Sequence, residues 1–141
     1  MIKNLLLFCF AVAFISCSDT KNESADKCND GAIQFDIIAE KANMPTSEEE
    51  VNFNDVYCAN NTVTYVYTIN NLEELPIIKE QKELFDKVVK DELLQFFCNE
   101  NSIELYTIKK NNMSIKWQYF LKGEQEVFSE FSVNKTMCGK K

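Results

Sequence analysis

The sequence predicts an α+β domain, built as a single antiparallel sheet of about four strands. One long helix and a shorter N-terminal helix are expected to cover one face of this sheet. Residues 62–69 alternate apolar and polar side chains, as in a half-buried strand. Residues 77–98 repeat apolar side chains at three- and four-residue steps, as in an amphipathic helix. Residues 103–133 contain apolar runs at hairpin spacing, which predicts further strands after that helix.

The first helix is predicted at residues 32–42, where Ile33, Ile37 and Ile38 recur at helical spacing. The acidic run at residues 46–50 is interpreted as a solvated loop or a helix start. Adjacent carboxylates do not converge on one point in a helix or strand, so a metal site there is the weaker alternative. Weak alternation over residues 51–57 then predicts a strand.

The strongest strand signal is TVTYVYTI, residues 62–69, in which every residue has high strand propensity. Alternation places Val63, Tyr65, Tyr67 and Ile69 on one face. Two tyrosines side by side could form a platform for a ligand. Half-buried packing against a helix is the commoner role of such a pair, and it is the interpretation favoured here.

Pro76 suits the first turn of the long helix, predicted at residues 77–98. Its apolar stripe could bind a partner, but a strand-rich remainder needs cover, which favours burial. Three strands at residues 103–108, 114–121 and 125–133 are expected to follow as an antiparallel meander, because the turns between them are short.

The N-terminal stretch predicts export. Lys3 is followed by a short apolar run and then by Ser16 and Cys17, which is the layout of a secretory signal peptide. The apolar run is too short for a transmembrane helix, which needs about 20 apolar residues. A simple signal peptide that is cleaved elsewhere is the other alternative.

The residues Phe14-Ile15-Ser16-Cys17 resemble the lipobox of bacterial lipoproteins, with Phe14 where that family usually has leucine. The resemblance implies cleavage before Cys17 and acyl chains in thioether and amide linkage on that cysteine. Two or more acyl chains anchor a protein stably. We therefore expect a lipid-anchored protein of the cell envelope, at the outer membrane and facing the periplasm or the surface.

This interpretation divides the chain into a signal peptide at 1–16, a lipidated cysteine with a polar tether at 17–31, and one α+β domain at 32–141. The order of elements from the long helix onward, closed by Cys138, is similar to a diffuse group of small exported bacterial domains, some labelled as virulence-associated. That similarity rests on order and spacing, and it carries no functional residue across to this chain.

Charge and composition exclude several classes of function. Cleavage would leave 141 − 16 = 125 residues with a charge of 14 − 22 = −8, since Lys3 is the one basic residue lost. Such acidity argues against nucleic acid and against a polybasic membrane contact. All 15 basic residues are lysine, which disfavours phosphoryl chemistry, and the absence of histidine excludes any triad built on it.

Four cysteines remain once Cys9 is removed with the leader and Cys17 is assigned to lipid. An even number in an exported chain predicts two disulfide bonds, and four free or metal-bound thiols are the alternative. No CxxC pair supports a zinc or redox site. The hypothesis is that a bond between Cys98 and Cys138 ties the end of the long helix to the final strand. A second bond, between Cys28 and Cys58, would tie the first helix to the edge of the first strand.

A calcium loop is rejected. Asp26, Cys28 and Asp30 followed by Gly31 imitate the start of an EF-hand loop, but the third position has a cysteine where an oxygen ligand belongs. Its twelfth position is Ile37, where a bidentate glutamate is required. No metal or other cofactor is therefore expected.

Two classes of function remain, and a third is a less favoured alternative. The first is a non-enzymatic binding or assembly module for an envelope protein, as pilotins, inhibitors and immunity proteins are, and an acidic surface suits a basic partner. The second is a hydrolase that uses a carboxylate pair, although a domain of this size offers little cleft. The third is a carrier of a small apolar ligand between helix and sheet.

Overall fold

The computed structural model describes residues 26–44, 46–47, 50–71 and 73–139. The predicted leader and Cys17 lie outside these residues, as do Glu48 and Glu49 of the acidic run. Short 3₁₀ turns at Lys27–Asn29 and Lys135–Met137 lie near the two ends of the described part. Between them, the helices and strands follow in the order α1 (Gly31–Ala42), β1 (Thr46–Ser47), β2 (Val51–Ala59), β3 (Thr62–Ile69), α2 (Leu75–Glu80), α3 (Lys82–Asn99), α4 (Ile103–Lys110), β4 (Ser114–Leu121) and β5 (Val127–Asn134).

The strands form one open sheet in the order β1-β2-β3-β4-β5, which confirms the α+β class. Strands β2 and β3 form a tight hairpin because Asn60 and Asn61 both adopt positive φ, at 51° and 59°, as a type I′ turn requires. The prediction of a wholly antiparallel sheet is wrong at one pair. Strand β4 runs parallel to β3 over its whole length, so the sheet is mixed.

The cause of this difference is α4, which was predicted as a strand. Ser102 caps this helix by accepting a hydrogen bond from the N–H of Leu105, and Leu105 and Ile108 are buried three residues apart. Ile103, the first residue of the predicted strand, is 83% exposed. With a helix in place of the strand, the chain crosses from the end of β3 through α2, α3 and α4 and enters β4 in the same direction.

The other predicted elements are present, with changed boundaries. The long helix is divided at Gln81, whose backbone leaves helical geometry at φ −105° and ψ 33°, into α2 and α3. Pro76 lies in the first turn of α2, as predicted. Helix α1 buries Ile33 and Ile37, but Ile38 is 64% exposed. Thr46–Ser47, in the segment interpreted as a loop, forms a two-residue edge strand against β2.

The hydrophobic core lies between one face of the sheet and the helices. It joins Ile33 and Ile37 of α1, Phe97 of α3, and Leu105 and Ile108 of α4 to the inward side chains of the strands. Those inward side chains include Val56, Val63, Ile115, Trp117 and Val133. Because all of these helices pack on the same face, the opposite face of the sheet carries a different, more polar set of side chains.

Two disulfide bonds close the structure, joining Cys28 to Cys58 and Cys98 to Cys138. These are the pairs of the sequence hypothesis. The first bond ties the turn before α1 to β2, and the second ties the last turn of α3 to the turn after β5. Two such bonds fit an exported protein. Within the described residues, no helix is long and apolar enough to cross a membrane.

Candidate functional site

An aromatic layer crosses the helical face of the sheet. The alternation in β3 places Tyr65 and Tyr67 on this face, as predicted, and the parallel register sets them beside Trp117 and Tyr119 of β4. The Tyr65 and Trp117 ring centroids are 6.3 Å apart, and those of Tyr67 and Tyr119 are 5.5 Å apart. Phe53 of β2 extends the layer, with its ring 5.1 Å from that of Tyr67. Aromatic side chains of three adjacent strands thus form a continuous surface.

The helices leave part of this layer uncovered. Helix α1 packs against β2 and α3 packs against β5, so they lie over different sides of the sheet. Between them the rings of Tyr65 and Tyr67 form the floor of a cleft of about 170 Å³. We call this cleft the aromatic groove. Its lining includes Glu40 of α1, Phe96 of α3, Glu104 of α4, and Tyr65, Tyr67 and Trp117 of the sheet.

Phe96 and Phe97 are adjacent in α3 but have opposite environments. Phe97 is fully buried in the core, whereas Phe96 is 51% exposed at the wall of the aromatic groove. Both phenylalanines belong to the apolar stripe of the predicted long helix, for which burial was the favoured interpretation. A half-exposed phenylalanine beside exposed aromatic rings is typical of a surface that contacts another molecule.

Two carboxylates, Glu40 and Glu104, line the aromatic groove, and Asp36 lines the small enclosed space beside it, to which both of them also belong. Asp36 and Glu40 lie one turn apart on α1, and Glu104 lies in the first turn of α4. Burial raises the pKa of Glu104, and the negative charges of Asp36 and Glu40 raise it further. Burial also raises the pKa of Asp36. The carboxylates therefore repel one another in a partly dehydrated setting.

The phenol groups in the groove stay protonated at physiological pH. Burial raises the pKa of Tyr67 to about 12, with a further contribution from the charge of Glu40. It raises the pKa of Tyr65 more strongly, and Glu40 and Glu104 add to this. Neutral phenols can donate hydrogen bonds to a bound segment and present uncharged rings to it.

A second apolar surface lies on α2 and α3. Ile77, Leu84 and Val88 are each about half exposed, at 55%, 57% and 46%, and with Phe85 they line a shallow cleft of about 250 Å³. Phe85 also meets the ring of Tyr119 edge-on, with centroids 6.0 Å apart. Since Tyr119 stacks on Tyr67, aromatic contacts connect this surface to the aromatic groove.

Helix α3 is held against β5 by a polar contact beneath these surfaces. The buried hydroxyl of Ser129 donates a hydrogen bond of 2.5 Å to the carboxylate of Asp86. Asp86 also pairs with Lys82, one turn earlier in α3, at 2.5 Å. Because a charged acceptor strengthens a hydrogen bond, this contact helps to set the height of α3 above the sheet.

The structure assigns other roles to the residues of the rejected calcium loop. Asp26 caps the turn that contains Cys28, and Asp30 caps α1 by accepting from the N–H of Ala32. Asn61 of the β-hairpin accepts from the N–H of Lys27 at 2.6 Å, which fastens this segment to the sheet. Among the described residues, no three histidine, cysteine, aspartate or glutamate side chains are placed to hold a metal ion.

A ligand carrier would need a sizeable interior cavity. The enclosed space between α1, α4 and the sheet measures about 10 Å³. A single water molecule needs about 10 to 15 Å³ on this scale, so that space holds no apolar ligand as it stands.

The sequence pattern identifies Tyr65 and Tyr67 but does not identify the carboxylates at the groove. Asp36 and Glu40 each follow a buried isoleucine by three residues, and this spacing is the signal that could have placed them beside the core face of α1. Glu104 could not have been placed, because its segment was predicted as a strand. Cys17, the predicted lipid site, lies outside the described residues.

Comparison with known proteins gives matches by structure. No family model matches the sequence, and no curated protein sequence matches it. A protein of Pseudomonas aeruginosa that is thought to be secreted has a similar structure, with a TM-score of 0.57 at 6% identity. The similarity covers 74% of this chain and 88% of that one.

A pilotin of the type 2 secretion system of Vibrio vulnificus is similar too, with a TM-score of 0.55 at 9% identity over 76% of this chain and 88% of the pilotin. At such low identity these likenesses show the fold alone. The fold of this chain is thus shared with a protein thought to be secreted and with a secretion-system pilotin.

Proposed function

We propose that this chain is a lipid-anchored envelope lipoprotein that acts as a non-enzymatic protein-binding or assembly module. Its signal peptide, residues 1–16, is removed and acyl chains on Cys17 hold it at the outer membrane. The polar segment from residue 17 to about 31 links the anchor to the domain. A partner protein of the envelope docks in the aromatic groove.

The observation that carries this proposal is the uncovered aromatic layer between α1 and α3. Tyr65, Tyr67 and Phe96 are partly exposed and offer a large apolar contact area to a partner. Because aromatic side chains have few rotatable bonds, ordering them on binding costs little conformational entropy. The structural likeness to a secretion-system pilotin and to a protein thought to be secreted supports an assembly role in the envelope.

The carboxylates of the groove favour binding over catalysis. A hydrolase that uses a carboxylate pair needs one carboxyl group held protonated and another held ionised by contrasting surroundings. Here the resolved pKa shifts of Asp36 and Glu104 have the same direction and the same main cause. Burial thus acts on both groups alike, which supports a binding role over a catalytic one.

The anchor is tested by the intact mass of the protein extracted from its native envelope and alkylated without reduction. We expect an acylated chain that begins at Cys17 and carries no alkyl group on its cysteines. Replacement of Cys17 by serine should release the protein from the membrane. A chain that keeps residues 1–16, or that lacks acyl groups, would contradict the anchor.

The docking site is tested by a photo-cross-linking amino acid in place of Phe96, with Asp91 as the control. Both positions are exposed on α3, but Asp91 lies outside the aromatic groove. We expect a specific envelope protein to be captured from position 96 alone. Its affinity for the purified chain should then fall at least about tenfold for Phe96→Ala, as is typical of an aromatic hot spot. Equal capture from both positions would count against the groove.

A further inference from the structure

The carboxylates of the aromatic groove have no cationic partner within the part of the chain that the structure describes. The ion pairs found there join Lys41 with Asp55, Lys79 with Glu124, Lys82 with Asp86, and Lys116 with Glu130. None of these pairs includes Asp36, Glu40 or Glu104. Glu40 and Glu104 thus line the cleft, with Asp36 close by, and none of these ion pairs offsets their charge.

Lysines on the neighbouring helices are directed elsewhere. Lys41 of α1, next to Glu40 in sequence, pairs with Asp55 of β2 at 3.2 Å. Lys109 of α4 donates to the backbone carbonyl of Glu100 at 2.9 Å and lies over the ring of Phe97. Each of these two lysines has a partner other than the groove carboxylates, so the negative charge of the groove stays available to another molecule.

The aromatic rings of the groove stack on one another across the strands. Tyr65 stacks on Phe53 and Trp117, and Tyr67 stacks on Phe53 and Tyr119. Because stacked rings turn their faces to their neighbours, they offer a bound segment apolar contact, and the attraction for a cation comes from the carboxylates. Apolar rings with carboxylates beside them favour a cation with an apolar stem.

Much of the remaining lining of the groove is apolar. Phe96 forms its wall, and the contact between Phe85 and Tyr119 connects it to the exposed apolar surface of α2 and α3. A small free cation would leave these side chains in water. A peptide segment with apolar residues next to its basic residue would cover them.

We infer that the occupant of the aromatic groove is a partner segment with a lysine or arginine flanked by apolar side chains, its cation between Glu40 and Glu104. The inference rests on the proposed function and names the partner's chemistry. A basic residue pairs with the carboxylates, while its flanking apolar residues cover Phe96 and the aromatic floor.

The test measures the fluorescence of Trp117, the single tryptophan of the chain, because its side chain lines the groove. The purified mature chain in lipid nanodiscs is titrated with two synthetic peptides of equal length and equal leucine and phenylalanine content. One peptide carries arginines and the other carries glutamates at the same positions. We expect the arginine peptide to bind at least about tenfold more tightly, and less tightly as salt is raised.

The contribution of the carboxylates is measured with matched variants. Glu40→Gln combined with Glu104→Gln should weaken the arginine peptide about five- to tenfold, since a partly exposed ion pair changes affinity by roughly two- to fivefold. The control combines Glu83→Gln with Glu126→Gln, two exposed glutamates outside the groove, and removes the same total charge. This control should retain its affinity within about twofold.

Each outcome decides the inference. Equal binding of the two peptides, equal loss in the two double variants, or binding of neither peptide would overturn it. Cross-linking from position 96 is independent of charge. A partner captured there through an acidic or wholly apolar segment would overturn the inference and leave the proposed function standing, whereas a failure to capture any partner would count against the function itself.

Discussion

The rings of Tyr67 and Tyr119 stack across two parallel strands, with centroids 5.5 Å apart. This contact exists because β3 and β4 run in the same direction and in register, although Tyr67 and Tyr119 are 119 − 67 = 52 positions apart in the sequence. Three helices lie in the connection between these strands. The floor of the candidate site is therefore made by a long-range pairing.

The adjacent residues Phe96 and Phe97 should separate stability from binding. Phe97→Ala removes a fully buried ring and should lower the free energy of unfolding by about 3 to 5 kcal/mol. Phe96→Ala removes a ring that is 51% exposed and should cost less than about 1 kcal/mol. Urea unfolding of both variants, with intact disulfide bonds, measures the difference. Similar losses of stability in the two variants would contradict the opposite environments described for them.

The hydrogen bond from Ser129 to Asp86 should appear as an energetic coupling. Ser129→Ala and Asp86→Ala each remove one partner, and a double-mutant cycle should give a coupling of about 1 kcal/mol, the typical net contribution of an intramolecular hydrogen bond. Asp91→Ala combined with Ser129→Ala is the control, because Asp91 lies in the same helix and is exposed. Additivity in the first pair would show that the contact does not hold α3 against β5.

Glu104 should make the folded state less stable as pH rises. Its pKa is raised above 4.5 by burial and by the charges of Asp36 and Glu40 on α1, with Tyr65 of β3 also nearby. The folded state thus binds the proton more tightly, and this stabilisation is lost as pH rises from 4.5 through the raised pKa. Glu104→Gln should reduce that loss. Thermal melting over a pH series gives the slope of stability against pH. An unchanged slope in the variant would refute this role of Glu104.

Glu130 should have the opposite effect on stability. Hydrogen bonds from Gln118 and Lys116 lower its pKa below 4.5, so its contribution is present above that pH and is lost as pH falls through the lowered pKa. Glu130→Gln should therefore flatten the acid side of the melting profile. The Glu104 and Glu130 variants serve as controls for one another, because the same substitution is expected to change opposite sides of the profile.

The disulfide bonds should be found as Cys28 to Cys58 and Cys98 to Cys138 by peptide mapping without reduction. Removal of either bond by serine substitution of both cysteines should lower the free energy of unfolding by about 2 to 4 kcal/mol. Recovery of a Cys28 to Cys98 peptide would contradict this connectivity. The single-bond variants also show whether the turn before α1 or the end of α3 depends more on its bond.

Much of the fold was predictable because local patterns agreed with the final contacts. Strands β3 and β4 have the predicted bounds, since alternation over residues 62–69 and 114–121 matches one buried and one more polar face. The segment of α4 was wrongly predicted as a strand. In so short a run, the positions of Ile103, Leu105 and Ile108 are compatible with the repeat of a strand and with that of a helix. Packing against Ile33 and Ile37 of α1 buries Leu105 and Ile108 together, which only a helix allows.

The sequence by itself determined the α+β class, the aromatic face of β3, the cysteines available for bridging and the expectation of export. These features depend on neighbouring residues, on composition or on a leader pattern. The tertiary structure decided the parallel pairing of β3 with β4, the exposure of Phe96 and the meeting of Glu40 with Glu104. Those features depend on contacts between residues far apart in the chain, and burial against a distant partner is not encoded in local periodicity.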